Sequence, residues 1–183
     1  PNIKTFYLSF KDKKDGDDFN FSPGQFVMAS VFGIGEAPIS ISSSPRIRDH
    51  IELSIMETGV VTKALHSLKE GEMIGIRGPY GKPFPIDRWK GSNILFVGGG
   101  IGLAPLRGLI DYILEETPSF RALYLCYGAR TPLDLVFKKR LSEWNREGKM
   151  KVQLTVDVGN KEWEKDVGVV TNFLKGDYHN RVE

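Results

Sequence analysis

The sequence predicts two domains in series: an antiparallel Greek-key β-barrel over residues 1–88, then an α/β domain with a parallel sheet over residues 89–183. Three observations carry this. Short alternating apolar runs, cut by Gly and Pro, fill the first half. Continuous apolar runs alternate with helix-period segments in the second half. Between them, Arg88, Lys90 and Gly91 make a polar connection.

In the first half, residues 3–10 put apolar and aromatic side chains on one face, the period of a half-buried strand. A polar turn is predicted around Asp15-Gly16-Asp17. Further strands are predicted over 25–29, 38–42, 50–56 and 72–77, with Gly33, Gly35, Pro45, Gly71 and Gly78-Pro79 as breakers. Many short strands at close spacing point to an antiparallel barrel. One helical segment interrupts them over 61–68, with Leu65 and Leu68 on one side.

The second half opens on Ile94-Leu95-Phe96-Val97, a continuous apolar run of the kind buried in parallel sheets. A helix over 104–116 follows, apolar at 106, 109, 110, 113 and 114. Then come a strand over 122–127, a helix over 133–145, a strand over 152–156 and a short helix over 169–174. This alternation predicts an open sheet of the dinucleotide-binding kind.

Composition excludes several classes. Apolar residues are 40% and charged residues 26% of the chain, ordinary for a globular protein. Lys and Arg number 12 against 11 Asp and Glu over residues 1–90, and 13 against 12 over the rest. No basic stripe stands out, so no nucleic-acid partner is expected. No apolar run reaches the ~20 residues of a membrane span, and no signal peptide opens the chain. The single cysteine, Cys126, can form no disulfide within the chain and no metal cluster, which fits a reducing, cytoplasmic setting. It reads as a small buried hydrophobe. His50, His66 and His179 lack metal spacing and read as solvated; no metal site is expected. Trp89, Trp144 and Trp163 read as core or domain-interface residues.

The strongest chemical signal is Gly98-Gly99-Gly100-Ile101-Gly102, between the apolar run and the helix. Glycines there remove the Cβ atoms that would keep a pyrophosphate from backbone N–H groups at a helix N-terminus. Ala104 and Pro105 suit a first helical turn. Leu103 breaks the G-x-G-x-x-G pattern, and no Lys-Ser/Thr follows to make a P-loop. The competing reading is a tight strand–helix connection with no ligand.

The segment 96–107, from Phe96 to Arg107, resembles the nucleotide-binding segment of the ferredoxin–NADP reductase superfamily. Three further segments agree, in order. Ser22-Pro23-Gly24-Gln25-Phe26-Val27 resembles the P-G-Q-F strand of that family's flavin barrel. Gly59-Val60-Val61-Thr62 resembles its G-x-x-S/T turn, and Gly78-Pro79-Tyr80-Gly81 its G-P-x-G. Tyr127-Gly128-Ala129-Arg130-Thr131-Pro132, Asp134, Thr155-Val156-Asp157, Trp163 and Gly168-Val169-Val170-Thr171 look most like one subgroup: gamma subunits of cytoplasmic nickel–iron hydrogenases (sulfhydrogenases). One component of anaerobic sulfite reductase and the dihydroorotate dehydrogenase electron-transfer subunit lie nearby.

The resemblance implies FAD in the barrel, NAD(P)H in the α/β domain, hydride transfer between them, and electron transfer to an iron–sulfur hydrogenase or reductase partner. It places Ala37, Pro38, Ile39, Ser40, Ile55, Glu57, Gly59, Val61 and Thr62 at the flavin, with the Ser40 hydroxyl near N5 as the catalytic group. It places Gly98, Gly99, Gly100, Ile101, Gly102, Ala104, Pro105, Arg107, Tyr127, Gly128, Ala129, Arg130, Asp134 and Asp157 at the dinucleotide. Arg130 either meets a 2′-phosphate or sits on the surface. Asp134 either accepts from ribose hydroxyls or caps a helix. Asp157 is either a ligand or a turn residue.

The chain also departs from the family pattern. The flavin motif R-x-Y/F-S aligns with Ala37-Pro38-Ile39-Ser40, so the phosphate-neutralising Arg and the stacking aromatic are absent. Either Arg46 or Arg48 substitutes, or both are simply exposed. A protein that binds a nucleotide without flavin stays open as the alternative. The family continues with a C-G-P motif and, in this subgroup, a cysteine cluster. Neither is present, so a [2Fe–2S] centre is expected only in a missing C-terminal segment or a partner. With Pro rather than Met first, the chain reads as a fragment.

Overall fold

The computed structural model describes residues 2–115, 119–146, 148 and 150–175. The chain divides into two compact units. One comprises Asn2–Phe84 together with Ala104–Tyr112; the other comprises Pro85–Leu103 and the chain from Ile113 onward.

The first unit is built of five antiparallel strands. β1 (Ile3–Leu8) pairs with β4 (Ile51–Met56), Ile3 opposite Met56 and Leu8 opposite Ile51. β2 (Phe26–Val31) lies between β3 (Gly35–Ser40) and β5 (Gly75–Tyr80). A bridge between Ile41 and Leu53 links the end of β3 to β4. The wall therefore runs β1-β4-β3-β2-β5. Alternate residues point inward, as the strand period requires. Val27, Ala29, Ile39, Ile41, Leu53 and Ile55 meet in the core with Leu65 of helix α2 (Val60–Ser67). Each fully buried aliphatic side chain contributes roughly 1.5–3 kcal/mol.

Local chemistry moves some bounds from their predicted places. β3 begins at Gly35 because the hairpin closes tightly: Ile34 N–H donates to Val31 at 3.0 Å, with Gly33 at φ 78° and Gly35 at φ 140°. β5 begins later than predicted because Glu72 closes a turn. Its N–H donates to the Lys69 carbonyl, and its carboxylate accepts from the Lys69 N–H at 2.7 Å. The polar segment after β1 is a short helix, α1 (Lys13–Asp18). Asp12 caps it by accepting from the Lys14 N–H.

The second unit holds a parallel sheet, β6 (Ile94–Gly99), β7 (Leu123–Ala129), β8 (Lys151–Val156) and β9 (Asp166–Val167), in that order. Helix α3 spans Leu103–Glu115 and α4 spans Lys138–Arg146. α4 starts later than predicted because the chain before it is a turn. Asp134 N–H donates to the Thr131 carbonyl, and Phe137 adopts φ 54°. A 3₁₀ turn occupies Val170–Lys175. Trp144 is buried in this unit, and Cys126 is buried in β7. Among the described residues, no helix is long and apolar enough to cross a membrane.

Candidate cofactor sites

Parallel pairing ends β6 and β7 side by side, with Gly98 opposite Tyr127 and Gly99 opposite Gly128. The turn Gly100–Gly102 follows, and then the first residues of α3. Gly100 adopts φ 51°, which a side chain would strain. A Cβ added at Gly99, Gly100 or Gly102 would meet nothing within 4 Å. Internal packing therefore does not demand these glycines. The space they leave lies beside backbone N–H groups, and it fits a dinucleotide pyrophosphate.

Two other glycines serve packing instead. A Cβ at Gly128 would come within 2.9 Å of Val170 Cβ, and one at Gly108 within 2.4 Å of the Ser43 carbonyl oxygen. Gly128 thus seats the 3₁₀ turn against β7.

Tyr127 is fully buried. Its hydroxyl donates to the Gly100 carbonyl at 3.0 Å and accepts from the Val136 N–H at 3.2 Å. Burial pushes its pKa up, so the hydroxyl stays protonated. Tyr127, grouped from the sequence with residues at the dinucleotide, thus ties the Gly100 carbonyl to the loop after β7. Asp134 accepts from both the N–H and the hydroxyl of Thr131, at 3.1 and 2.7 Å. It closes its own turn. Arg130 and Asp157 are exposed at strand ends, while Ala129 is buried and accepts from the Asp157 N–H.

Arg107 has protein partners of its own. Its guanidinium forms a bidentate pair with Glu52, which is 3% exposed, and lies 3.7 Å from Asp111. Both carboxylates belong to the first unit. The sequence held no signal for this, because Glu52 lies 55 residues away along the chain. Ser42, Ser43 and Ser44 are buried beside it. Ser43 Oγ accepts from the Glu52 N–H, and Ser42 Oγ donates to the Glu52 carbonyl.

In the barrel, Gln25 draws two sequence motifs together. Its amide group accepts from the Ser22 N–H and donates to the Gly81 carbonyl. α2 opens at Gly59, where Thr62 Oγ1 accepts from the N–H groups of Thr58 and Gly59 at 2.9 and 2.8 Å. The amides of residues 60–62 are those that a helix leaves unpaired at its first turn. Gly59 has nothing within 4 Å of an added Cβ. Open space beside these amides fits one end of a flavin nucleotide.

Ile39 and Ile55 face the core, and Ala37 and Val61 pack against it. Strand alternation puts Pro38 and Ser40 on the opposite face from Ala37 and Ile39. Neither arginine weighed as a substitute for the missing family Arg is free. The Arg46 guanidinium lies 4.8 Å over the Tyr112 ring, and Arg48 donates to Asn20.

His66 is not solvated as the sequence suggested, and His50 is half-buried. His66 is buried, its Nε2 2.9 Å from the Ile55 carbonyl and its Nδ1 3.5 Å from Glu57. His50 lies between Asp49 and Glu52. His179 lies outside the described residues. Among those residues no group of three or more His, Cys, Asp or Glu could hold a metal.

Comparison with known proteins agrees with this geometry. Residues 2–84 match the oxidoreductase FAD-binding domain, and residues 96–180 match the oxidoreductase NAD-binding domain. The chain is 41% identical over 145 residues to sulfhydrogenase 2 subunit gamma of Pyrococcus furiosus, covering 79% of this chain and 50% of that protein. It is 40% identical over 140 residues to a probable dihydroorotate dehydrogenase B (NAD(+)), electron transfer subunit, of Methanothermobacter thermautotrophicus, covering 76% and 48%. The chain thus spans about half the length of the curated relatives it matches. In fold it is similar to a ferredoxin NADP+ reductase from Neisseria gonorrhoeae, with TM-score 0.79 and 18% identity over 99% of this chain and 73% of that one. The chain belongs to the oxidoreductases that carry an FAD-binding and an NAD-binding domain, in a fold similar to that of ferredoxin NADP+ reductase.

Proposed function

We propose that the chain exchanges a hydride between NAD(P)H docked on the Gly98–Gly102 turn and FAD docked against the first turn of α2, and that the electrons go on to an iron–sulfur partner. The observation that carries this reading is the open space at Gly99, Gly100 and Gly102, where packing does not call for glycine. FAD supplies the bridge between two-electron and one-electron carriers.

The chain's own residues bind and orient. The amides of residues 60–62 and the open Gly59 take flavin phosphate in place of the arginine absent at Ala37. Ile39 and Ile55 face the core, so Pro38, Ser40 and Glu57 would be the residues that hold the flavin ring, with the Ser40 hydroxyl as the polar group beside it. Ile101, Ala104 and Pro105 shape the turn that holds the pyrophosphate. Arg130 and Asp157, exposed at the ends of β7 and β8, face the adenosine half. Hydride transfer between nicotinamide C4 and flavin N5 needs no acid–base side chain. The barrel reading over 1–88 and the dinucleotide reading over 89–183 follow from the same assignment.

The partner reading rests on relatives whose names describe them as subunits. A cytoplasmic setting rests on the lone, buried Cys126. The test is a visible absorption spectrum of the purified chain with added FAD, followed by anaerobic NADH or NADPH. Bound flavin bands that bleach with the dinucleotide are expected. A protein that takes up no FAD yet binds the dinucleotide overturns the flavin half. It would favour a nucleotide-only subunit, to which the uncharged Ala37 already points.

A further inference from the structure

Helix α4 turns one face toward a hollow at the outer side of the parallel sheet. Lys138, Leu141, Ser142, Asn145 and Arg146 recur at i, i+3, i+4, i+7 and i+8, the spacing of a single helical face. The hollow has a volume of about 440 Å³ and lies within the second unit. Val152 and Leu154 face it from alternate positions of β8, with Trp163 and Lys165 beyond. Its volume is that of a small-molecule site. None of the residues placed at FAD or at the dinucleotide lines it.

The floor is apolar and the rim is cationic. Leu141 is buried, while Val152, Leu154 and Trp163 are half-buried. The Trp163 Nε1–H donates to the Asp166 carbonyl at 2.9 Å, which fixes the indole plane. Asn145 Oδ1 accepts from the Val152 N–H at 3.3 Å and ties α4 to β8. Lys138, Arg146 and Lys165 stand exposed at the rim, and no Asp or Glu lines the hollow. Among the described residues, none of these three side chains has an ion-pair or hydrogen-bond partner. Glu143, the one acid of α4, pairs with Arg140 at 3.0 Å. Glu164 and Asp166 flank Lys165 but line the neighbouring hollow. Lys138 and Arg146 stand ~12 Å apart along the helix axis.

We propose that this hollow binds a small planar aromatic molecule that carries a phosphate group. The ring lies against Trp163 and the apolar floor of Leu141, Val152 and Leu154. The Arg146 guanidinium takes two phosphate oxygens at once, and Lys138 and Lys165 add point charges. Three cations without a neighbouring acid select a divalent phosphate over a single carboxylate. The apolar floor selects an aromatic phosphate over inorganic phosphate, which has no surface to bury there.

The probe is 1-naphthyl phosphate, titrated by calorimetry into the purified chain with FAD and NAD+ at saturating concentration, and followed by amide hydrogen exchange. One-to-one binding is expected, with exchange slowed in α4 and over residues 151–154. Both 1-naphthol and inorganic phosphate should bind at least about tenfold weaker, ~1.4 kcal/mol. The triple variant K138Q/R146Q/K165Q, changed only at exposed side chains, should weaken naphthyl phosphate similarly. Its melting temperature and its dinucleotide affinity should match those of the wild type. The idea is overturned if no heat appears at millimolar probe, or if naphthol or inorganic phosphate binds equally well. It also fails if the triple variant keeps full affinity, or if the probe binds only while FAD and NAD+ are left out.

Discussion

The Tyr127 hydroxyl donates to the carbonyl of Gly100, 27 residues earlier in the chain. The same oxygen accepts from Val136, so one buried atom ties the glycine turn to the loop after β7. Tyr127→Phe keeps the ring and removes both bonds. Losing a buried hydrogen-bonding partner costs about 1–3 kcal/mol. We expect that loss in urea unfolding, together with weaker NAD(P)H binding by fluorescence titration. Unchanged dinucleotide affinity would detach Tyr127 from the site.

Tyr127 also sets an alkaline signature. Burial, the leading cause, raises its folded pKa above that of the unfolded chain, with the Asp134 charge adding to the shift. The stability it confers is therefore complete below the unfolded value of ~10. It is lost as pH rises from there through the folded value. Wild type should lose stability in that window with a steeper slope than Tyr127→Phe, read by denaturant melts at successive pH values. Parallel slopes would contradict the burial of a neutral hydroxyl.

Gly99→Val separates fold from ligand. Gly99 sits at φ −130° and ψ 134°, an extended conformation open to any residue, and an added Cβ meets nothing. The variant should fold with an unaltered melting temperature and lose dinucleotide affinity by about 100-fold, ~2.7 kcal/mol. Gly108→Ala should do the reverse. Its Cβ would lie 2.4 Å from the Ser43 carbonyl oxygen, so overpacking of about 1–3 kcal/mol is expected in a thermal melt.

Glu52→Gln should be among the most damaging single changes in the first unit. It leaves the Arg107 guanidinium, with 13% of its side chain exposed, without its bidentate carboxylate. Breaking a buried pair from one side costs about 3–5 kcal/mol. Replacing both partners by apolar residues, Glu52→Leu with Arg107→Met, should recover much of that loss in the same denaturant assay.

Much of the fold was legible because its signals are local. The alternation over residues 3–10, the run from Ile94 to Val97 and the glycines after it each announce an element through near neighbours. What was not legible is pairing at a distance. Arg107 reads as a cation beside a phosphate-binding turn, and only the folded chain brings Glu52 to it. The Ser42–Ser44 run is polar, yet it is buried, and the Ser42 and Ser43 hydroxyls are satisfied by Glu52 backbone groups. α4 starts at Lys138 because Asp134 spends its side chain on Thr131, a choice that helix periodicity does not register.

The empty surroundings of Gly99, Gly100 and Gly102 bear on how such a protein drifts under selection. A chain relieved of its nucleotide could accept larger residues at Gly99 and Gly102 with little penalty in folding, whereas Gly108 and Gly128 would stay pinned by their neighbours. Erosion of the first pair alone, in a lineage that keeps the second, would mark the loss of redox duty before any loss of structure.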